Sequence, residues 1–316
     1  MSDQLTIVLT LKDRSALMHR WMRYMNDRAC PYLIVIADGG EDHDLESHLR
    51  DGGHYPALRY EYIRYPVDED YRRYYLKLAD VVDCVTSPYV LLADNDDFFL
   101  LDAVPAFLEF LDHHQDYVSC GGQRIVLRLL DHAGALTGRP DAPHYEARLD
   151  ARQRPIAGES AIERMRDFLA EARRLYLWAA WYRVHRTSAL AQAARIAQSH
   201  QFSDPVAHEL HVHLALLLAG KSHHLERPFL VQQAGSSQFT SALEARGTLT
   251  QRFAETHALD DVYRSLEVFA DLPPADLGRL RDALAGWLAL QSGKAKTPPE
   301  ARPITLPHIE PYILSA

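Results

Sequence analysis

Four consecutive residues, Asp94-Asn95-Asp96-Asp97, place three carboxylates in a span of four positions. Like charges crowded in this way repel one another unless a cation neutralises them. In extended chain, residues i and i+2 point the same way, so Asp94 and Asp96 can share one ion. Hard oxygen donors in small number suit Mg²⁺ or Mn²⁺, which fills its remaining positions with water and substrate phosphates. An ion held there would neutralise charge growing on a departing diphosphate. The structural alternative is an acidic turn that caps the segment after it, with Asp97 a plain turn residue.

Asp38, followed by Gly39-Gly40, is a second candidate. Its carboxylate could accept hydrogen bonds from a base such as uracil, or it could close an Asp-Gly turn. Glu209 is a third, on a segment where Val206 and Leu210 form an apolar face. A carboxylate beside such a face is partly desolvated, which raises its pKa toward a useful general-base value. A solvent-exposed glutamate near a helix N-terminus is the alternative. His208, His211 and His213 do not complete an HExxH, because position 212 is Val. A zinc site from His208 and His211 competes there with hydrogen-bonded histidines. Trp178, Trp181 and Tyr182 read either as an aromatic platform under a sugar ring or as core.

The elements that must position these groups alternate. LTIVLT from Leu5 is a short β-branched run, and Met18, Trp21, Met22 and Met25 then fall at helical spacing. YLIVIAD, ending at Asp38, is a second buried strand. Residues 59–65 form a third, followed by a helix with Tyr71, Tyr74, Tyr75, Leu78, Val81, Val82 and Val85 on one stripe. YVLLA from Tyr89 runs directly into the Asp cluster, and Asp102 is expected to cap a helix carrying Val104, Phe107 and Leu111. Strands alternating with helices imply a mostly parallel sheet, whose carboxyl edge binds ligands. Leu11-Lys12-Asp13-Arg14 stands where a glycine-rich dinucleotide loop would be, which disfavours an NAD-type domain.

Past Gln115 the alternation loosens. YVSCGGQRIVLRLL reads as strands around Gly121-Gly122, residues 131–158 as a variable loop, 160–175 as a helix and WAAWYRVHR as a strand before an Ala-rich helix. Asp204-Pro205 marks a helix start, with Val206, Leu210, Leu214 and Leu217 inward. Residues 241–293 are helical in pattern, and an extended arm follows Thr297.

A chain of 316 residues, 47% hydrophobic and 24% charged, can bury a large core. Its net charge of −9 excludes the bulk basic field that dominates nucleic-acid affinity. Three cysteines, Cys30, Cys84 and Cys120, give neither a disulfide framework nor a CxxC, as expected of a reducing, cytoplasmic compartment. No apolar stretch reaches the length of a membrane span, which leaves peripheral membrane contact open.

These residues resemble the GT-A glycosyltransferases of the family 2 type, within them a bacterial subgroup with a Lys-Asp-Arg opening and an Asp-rich DxDD. IVLTLKDR at 7–14 resembles the family's first strand and loop, VIADGG at 35–40 its uridine-binding strand end, and YVLLADNDDF at 89–98 its metal strand. Lys77 matches a lysine that members carry before the metal strand. HELHVHLALLLAGK at 208–221 is similar to the segment that places a catalytic carboxylate, with His208-Glu209 replacing the usual Glu-Asp pair. Members often draw a third metal contact from a histidine after the last core strand, where this chain has Gln232 and Gln233.

The resemblance implies an α/β GT-A fold, a Rossmann-like mixed and mostly parallel sheet flanked by helices, over residues 1–240, with a helical extension and arm over 241–316. It implies a nucleotide-sugar donor, a UDP-sugar by preference, Mn²⁺ or Mg²⁺, and a carbohydrate or glycolipid acceptor, with inverting transfer in bacterial surface polysaccharide or glycoconjugate synthesis. Asp94 and Asp96 would bind the metal; Asp38 the base; Thr10, Arg14, Lys77 and Asp94 the rest of the donor; and Glu209 would be the base. A sugar nucleotidyltransferase and a non-catalytic sugar-nucleotide-binding protein are the alternatives.

Overall fold

The alternating first half folds as its periodicity predicts. In the computed structural model, which describes residues 3–129, 145–150, 153–171, 181–198, 200–234, 248–269, 272–290 and 302–313, β1 (Leu5–Leu11) leads through α1 (Ser15–Asp27) to β2 (Leu33–Asp38). There follow α2 (His43–Arg50), β3 (Arg59–Arg64), α3 (Tyr71–Asp83) and β4 (Tyr89–Ala93). The four strands lie parallel in the order β3-β2-β1-β4. Leu5, Ile7, Val8, Leu9, Ile34, Ile36, Val90 and Leu91 are fully buried, as expected for strands covered on both faces. Register pairs Leu11 with Asp38 and Leu9 with Ala93, so the loops after β1, β2 and β4 leave the sheet on one edge.

The second half is mixed. β5 (Phe98–Phe99), a 3₁₀ turn (Leu101–Ala103) and α4 (Val104–His113) precede the long strand β6 (Tyr117–Leu129). Asp102 lies inside the 3₁₀ turn, and α4 starts at Val104 with Pro105 in its first turn and no side-chain cap. This corrects the expected Asp102 cap. β7 (Tyr145–Leu149) pairs antiparallel with β6, placing a strand where the variable loop was expected; residues 130–144 lie outside the described residues. After α5 (Ala161–Glu171), the expected WAAWYRVHR strand is reduced to β8 (Val184–Arg186), and Trp178 lies outside the described residues. β8 joins β4 to β6 with antiparallel pairing on both sides. Then come α6 (Thr187–Gln198), α7 (Pro205–Ala219) and β9 (Lys221–Ala234), which runs parallel to β6 along most of its length. β6 is one strand with register shifts at Gly121-Gly122, where Arg183 lies across the glycine: a Cβ on Gly121 would sit 2.7 Å from its Cγ.

Three helices follow: α8 (Leu249–Thr256), α9 (Ala258–Phe269) and α10 (Pro274–Leu290). They build a second core with α5 and α7, centred on Met165, Leu210, Leu214, Val262, Leu280 and Trp287. Helix α7 is buried on both sides, so its apolar residues are not confined to one face. Val206, Leu210, Leu214 and Leu217 face the second core as their spacing predicts, while Val212, Ala215 and Leu216 belong to the sheet's core. Its ends are tied to that second core. Asp204 caps its N-terminus, accepting the Val206 N–H at 2.8 Å while pairing with Arg252 of α8 at 3.0 Å. Arg164 of α5 donates to the Leu217 and Leu218 carbonyls at 2.8 and 3.2 Å, satisfying groups that a helix C-terminus leaves open.

The expected arm is partly an element of the sheet. β10 (Arg302–Pro303) pairs with β7, and Leu306 and Ile309 are buried ahead of α11 (Glu310–Ile313).

Candidate active site

The Asp cluster stands past the end of β4, on the edge where β1 and β2 also end. One carboxylate oxygen from each of Asp94, Asp96 and Asp97 lies within 4.8 Å of the others. Asp97 is therefore part of the cluster rather than a turn residue alone. Among the described residues this is the one group of three or more acidic, His or Cys side chains close enough to hold an ion together. Its all-oxygen donor set fits Mg²⁺ or Mn²⁺.

Each carboxylate is held from a different direction. The Tyr182 hydroxyl donates to Asp94 Oδ2. Both terminal nitrogens of Arg14 reach Asp96 Oδ2 at 3.2 Å. Asp97 Oδ1 accepts the Gln233 backbone N–H at 2.9 Å. Arg20, buried in α1, ties the arrangement together by donating to the Asp96 carbonyl at 3.1 Å and to Gln233 Oε1 at 2.8 Å. Gln232 instead accepts from Arg124 at 2.9 Å. Gln233 thus braces the acidic loop. Arg14 is aimed by strained backbone: Asp13 and Arg14 both have left-handed φ, at 55° and 62°. The turn packs so closely that a Cβ on Gly40 would lie 2.6 Å from the Asp13 nitrogen.

Burial and mutual repulsion set the electrostatics. Desolvation and then the Asp96 charge push Asp94 up to about 6, against the hydrogen bond from Tyr182. Burial, then Asp96 and Asp94, also hold Asp97 well above the ordinary carboxylate range. Burial lowers Arg20 to about 10, leaving it a cation at neutral pH. A bound cation would favour the ionised form of acids clustered in this way.

Glu209, on α7, feels the same field. Burial raises its carboxyl well above the usual range, and the Asp94 charge adds to this. Its charge acts in turn on Tyr74 and Tyr75, and the Tyr74 hydroxyl lies 3.2 Å from Thr10 Oγ1 at the end of β1. Thr10, Asp94 and Glu209 therefore face one region. His208 stacks on Tyr75 with ring centroids 3.6 Å apart, and His211 is fully buried with both ring nitrogens unpartnered among the described residues, so these two do not form a metal pair. Trp181 is buried, and Tyr182 is buried with its hydroxyl on Asp94.

The expected base-reading side is bonded from within, and Lys77 lies elsewhere than expected. Both Asp38 oxygens are already occupied: Oδ1 by the Gly40 N–H at 2.7 Å, Oδ2 by the Tyr62 hydroxyl at 2.5 Å and Arg64 at 2.9 Å. Asp38 shapes the Gly39-Gly40 turn from the end of β2. Lys77 is buried, donating to the Leu11 carbonyl at 2.9 Å and pairing with Asp68, so it supports the β1 loop from below rather than reaching a phosphate. Asp68 itself was missed in the sequence. Its Oδ1 has no partner among the described residues, burial raises its pKa, and it packs against Gly39, where a Cβ would meet its Cγ at 2.5 Å. Its signal was an acid two residues after Pro66 and nine before a helical lysine. Lys77→Ala should destabilise the protein by about 3–5 kcal/mol, because it strands a buried charge. Urea unfolding measures this, and a loss under about 1 kcal/mol would mean that the Asp68–Lys77 pair is not a support.

No family model and no curated protein sequence matches this chain. Solved structures do match. Residues 1–349 of S. aureus TarS in complex with UDP-GlcNAc align with a TM-score of 0.55 at 12% identity, over 91% of this chain and 72% of that one. The same TarS portion with UDP gives 0.51 at 12% identity over 90% and 70%. Full TarS gives 0.55 at 11% identity, over 93% of this chain and 44% of its own. The fold is GT-A. A mannosyltransferase from Pyrobaculum calidifontis, PcManGT, solved with GDP-Man and Mn²⁺, aligns over 98% of this chain with a TM-score of 0.47 at 12% identity.

Proposed function

We propose that this protein is a metal-dependent, inverting glycosyltransferase of the Asp-rich DxDD type, which moves a sugar from a nucleotide-diphosphate donor, a UDP-sugar by preference, to an acceptor hydroxyl. The observation that carries this reading is the juxtaposition of three clustered carboxylates at the carboxyl edge of the parallel strands with a half-buried glutamate that feels the Asp94 charge. Asp94, Asp96 and Asp97 would hold Mn²⁺ or Mg²⁺, which supplies charge neutralisation to the leaving diphosphate. Arg14 meets the diphosphate from the β1 loop, and Thr10 with the Asp38 turn and Asp68 shapes the nucleoside end. Glu209 takes the proton of the acceptor hydroxyl as its oxygen attacks the anomeric carbon, and the diphosphate departs on the opposite side. The acceptor is a carbohydrate or glycolipid, and surface polysaccharide or glycoconjugate synthesis is the setting. No described helix is long and apolar enough to cross a membrane.

Thermal shift across a panel of nucleotide sugars, with and without Mn²⁺, tests this directly. A donor at about 100 times its dissociation constant adds roughly 2.7 kcal/mol of stability. The same melts test the electrostatics. Asp94 has a raised folded pKa, so its contribution to apo stability is full below the unfolded value of 3.8 and is lost as pH rises through about 6. A cation must displace that proton. The Mn²⁺ shift should therefore be small at about pH 5 and reach its full size above about pH 7. A shift independent of pH would place the ion elsewhere, and turnover of a nucleoside triphosphate with pyrophosphate release would replace sugar transfer with nucleotidyl transfer.

A further inference from the structure

His213 stands one helical turn beyond Glu209 on α7. Its Nε2 lies 4.0 Å from Glu209 Oε1, and the two side chains are 2% and 16% exposed. That nitrogen is buried and has no hydrogen-bond partner among the described residues. A buried ring nitrogen left open is unfavourable, and a small rotation of either side chain would close the gap to hydrogen-bond length. The ring has little other freedom, since Trp181 meets it edge-on at 5.8 Å and Phe168 packs at 5.6 Å.

We propose that His213 is a positioning residue for Glu209: its Nε2–H hydrogen-bonds the ionised carboxylate and holds one oxygen toward the acceptor hydroxyl. The inference rests on Glu209 being the general base.

The surroundings explain why such a donor is needed. Glu209 is faced by Asp94 of the acidic loop and by Tyr74 and Tyr75 of α3, and both burial and the Asp94 charge favour its protonated form. A protonated carboxyl cannot act as a base. An N–H donated to the carboxylate favours the ionised form instead. Burial, with smaller contributions from His185 of β8 and Arg183 just before it, lowers His213 to about 3. The imidazole is therefore neutral at working pH, with one nitrogen a donor. It sets the Glu209 titration without adding one of its own.

The test compares kcat and donor KM against pH for the full chain and three variants, His213→Phe, His213→Gln and Glu209→Gln. His213→Phe keeps an aromatic ring but no donor. It should move the acid limb of the kcat profile up by about one pH unit and lower kcat about tenfold near neutrality, with recovery at high pH and donor KM unchanged. His213→Gln retains an N–H and should restore part of the shift. An equal loss at every pH with an unmoved limb, in either histidine variant, would make His213 a packing residue and overturn the proposal. The Glu209→Gln arm separates the two claims. Parental activity there would remove the base assignment itself, whereas a dead Glu209→Gln beside an unmoved His213→Phe profile would remove only the role of His213.

Discussion

Asp94→Asn and Asp96→Asn are each expected to lower the rate of transfer about a thousandfold or more while leaving the fold in place. The size follows from what an ion at a leaving diphosphate contributes, several kcal/mol of transition-state stabilisation, at roughly 1.4 kcal/mol for each factor of ten. The second half of the expectation is the more discriminating. Asp94 and Asp97 are held above the ordinary carboxylate range by burial and by neighbouring charge, so ionising them without a cation costs stability. Asparagine at position 94 removes one of the repelling charges and keeps an acceptor for the Tyr182 hydroxyl. Its metal-free melting temperature should equal or exceed the parent's, and the Mn²⁺ shift should vanish. A product-release assay and thermal melts read both halves. Parental turnover in a correctly folded Asp94→Asn protein would sink the metal assignment.

Glu209→Gln should cut kcat by about 10²–10⁴-fold, the usual contribution of a positioned general base, with donor affinity nearly unchanged. Glutamine keeps the shape and the polar contacts but cannot take a proton, so the loss falls on the transition state rather than on binding. Single-turnover kinetics separate the two quantities. If Glu209→Gln weakened donor binding and left the chemical step alone, the base would have to be sought elsewhere on the acceptor side.

The parts of this architecture legible in the sequence are those governed by local periodicity. β1, α1, β2, α3 and β4 follow from short apolar runs and a 3.6-residue stripe, and the acidic loop follows from β4 ending in four polar residues. The inward face of α7 was legible for the same reason. What escaped depends on partners distant in sequence. Nothing local distinguishes Asp38 as a turn residue from Asp38 as a base contact, because the groups that occupy it, Tyr62 and Arg64, arrive on β3. Lys77 looks like a helix-surface cation until the fold buries it against Asp68. Likewise Gln233 reads as a lost ligand, and only pairing with the acidic loop shows it bracing Asp97 by a backbone N–H. Asp97 joins the cluster because the chain turns at Asn95-Asp96, which alternation along a strand does not foretell.

Helix α7 is clamped at its N-cap by Arg252 of α8 and at its last carbonyls by Arg164 of α5. The candidate base therefore hangs from a frame whose far side is built by α8, α9 and α10. Those helices are not a detachable cassette. A version of the protein cut back to its sheet would leave Val206, Leu210, Leu214 and Leu217 facing water and Glu209 without a fixed address. By the same logic, sequence change in the helical layer is a route by which the depth and aim of Glu209 can be retuned while the loops after β1 and β2 stay as they are.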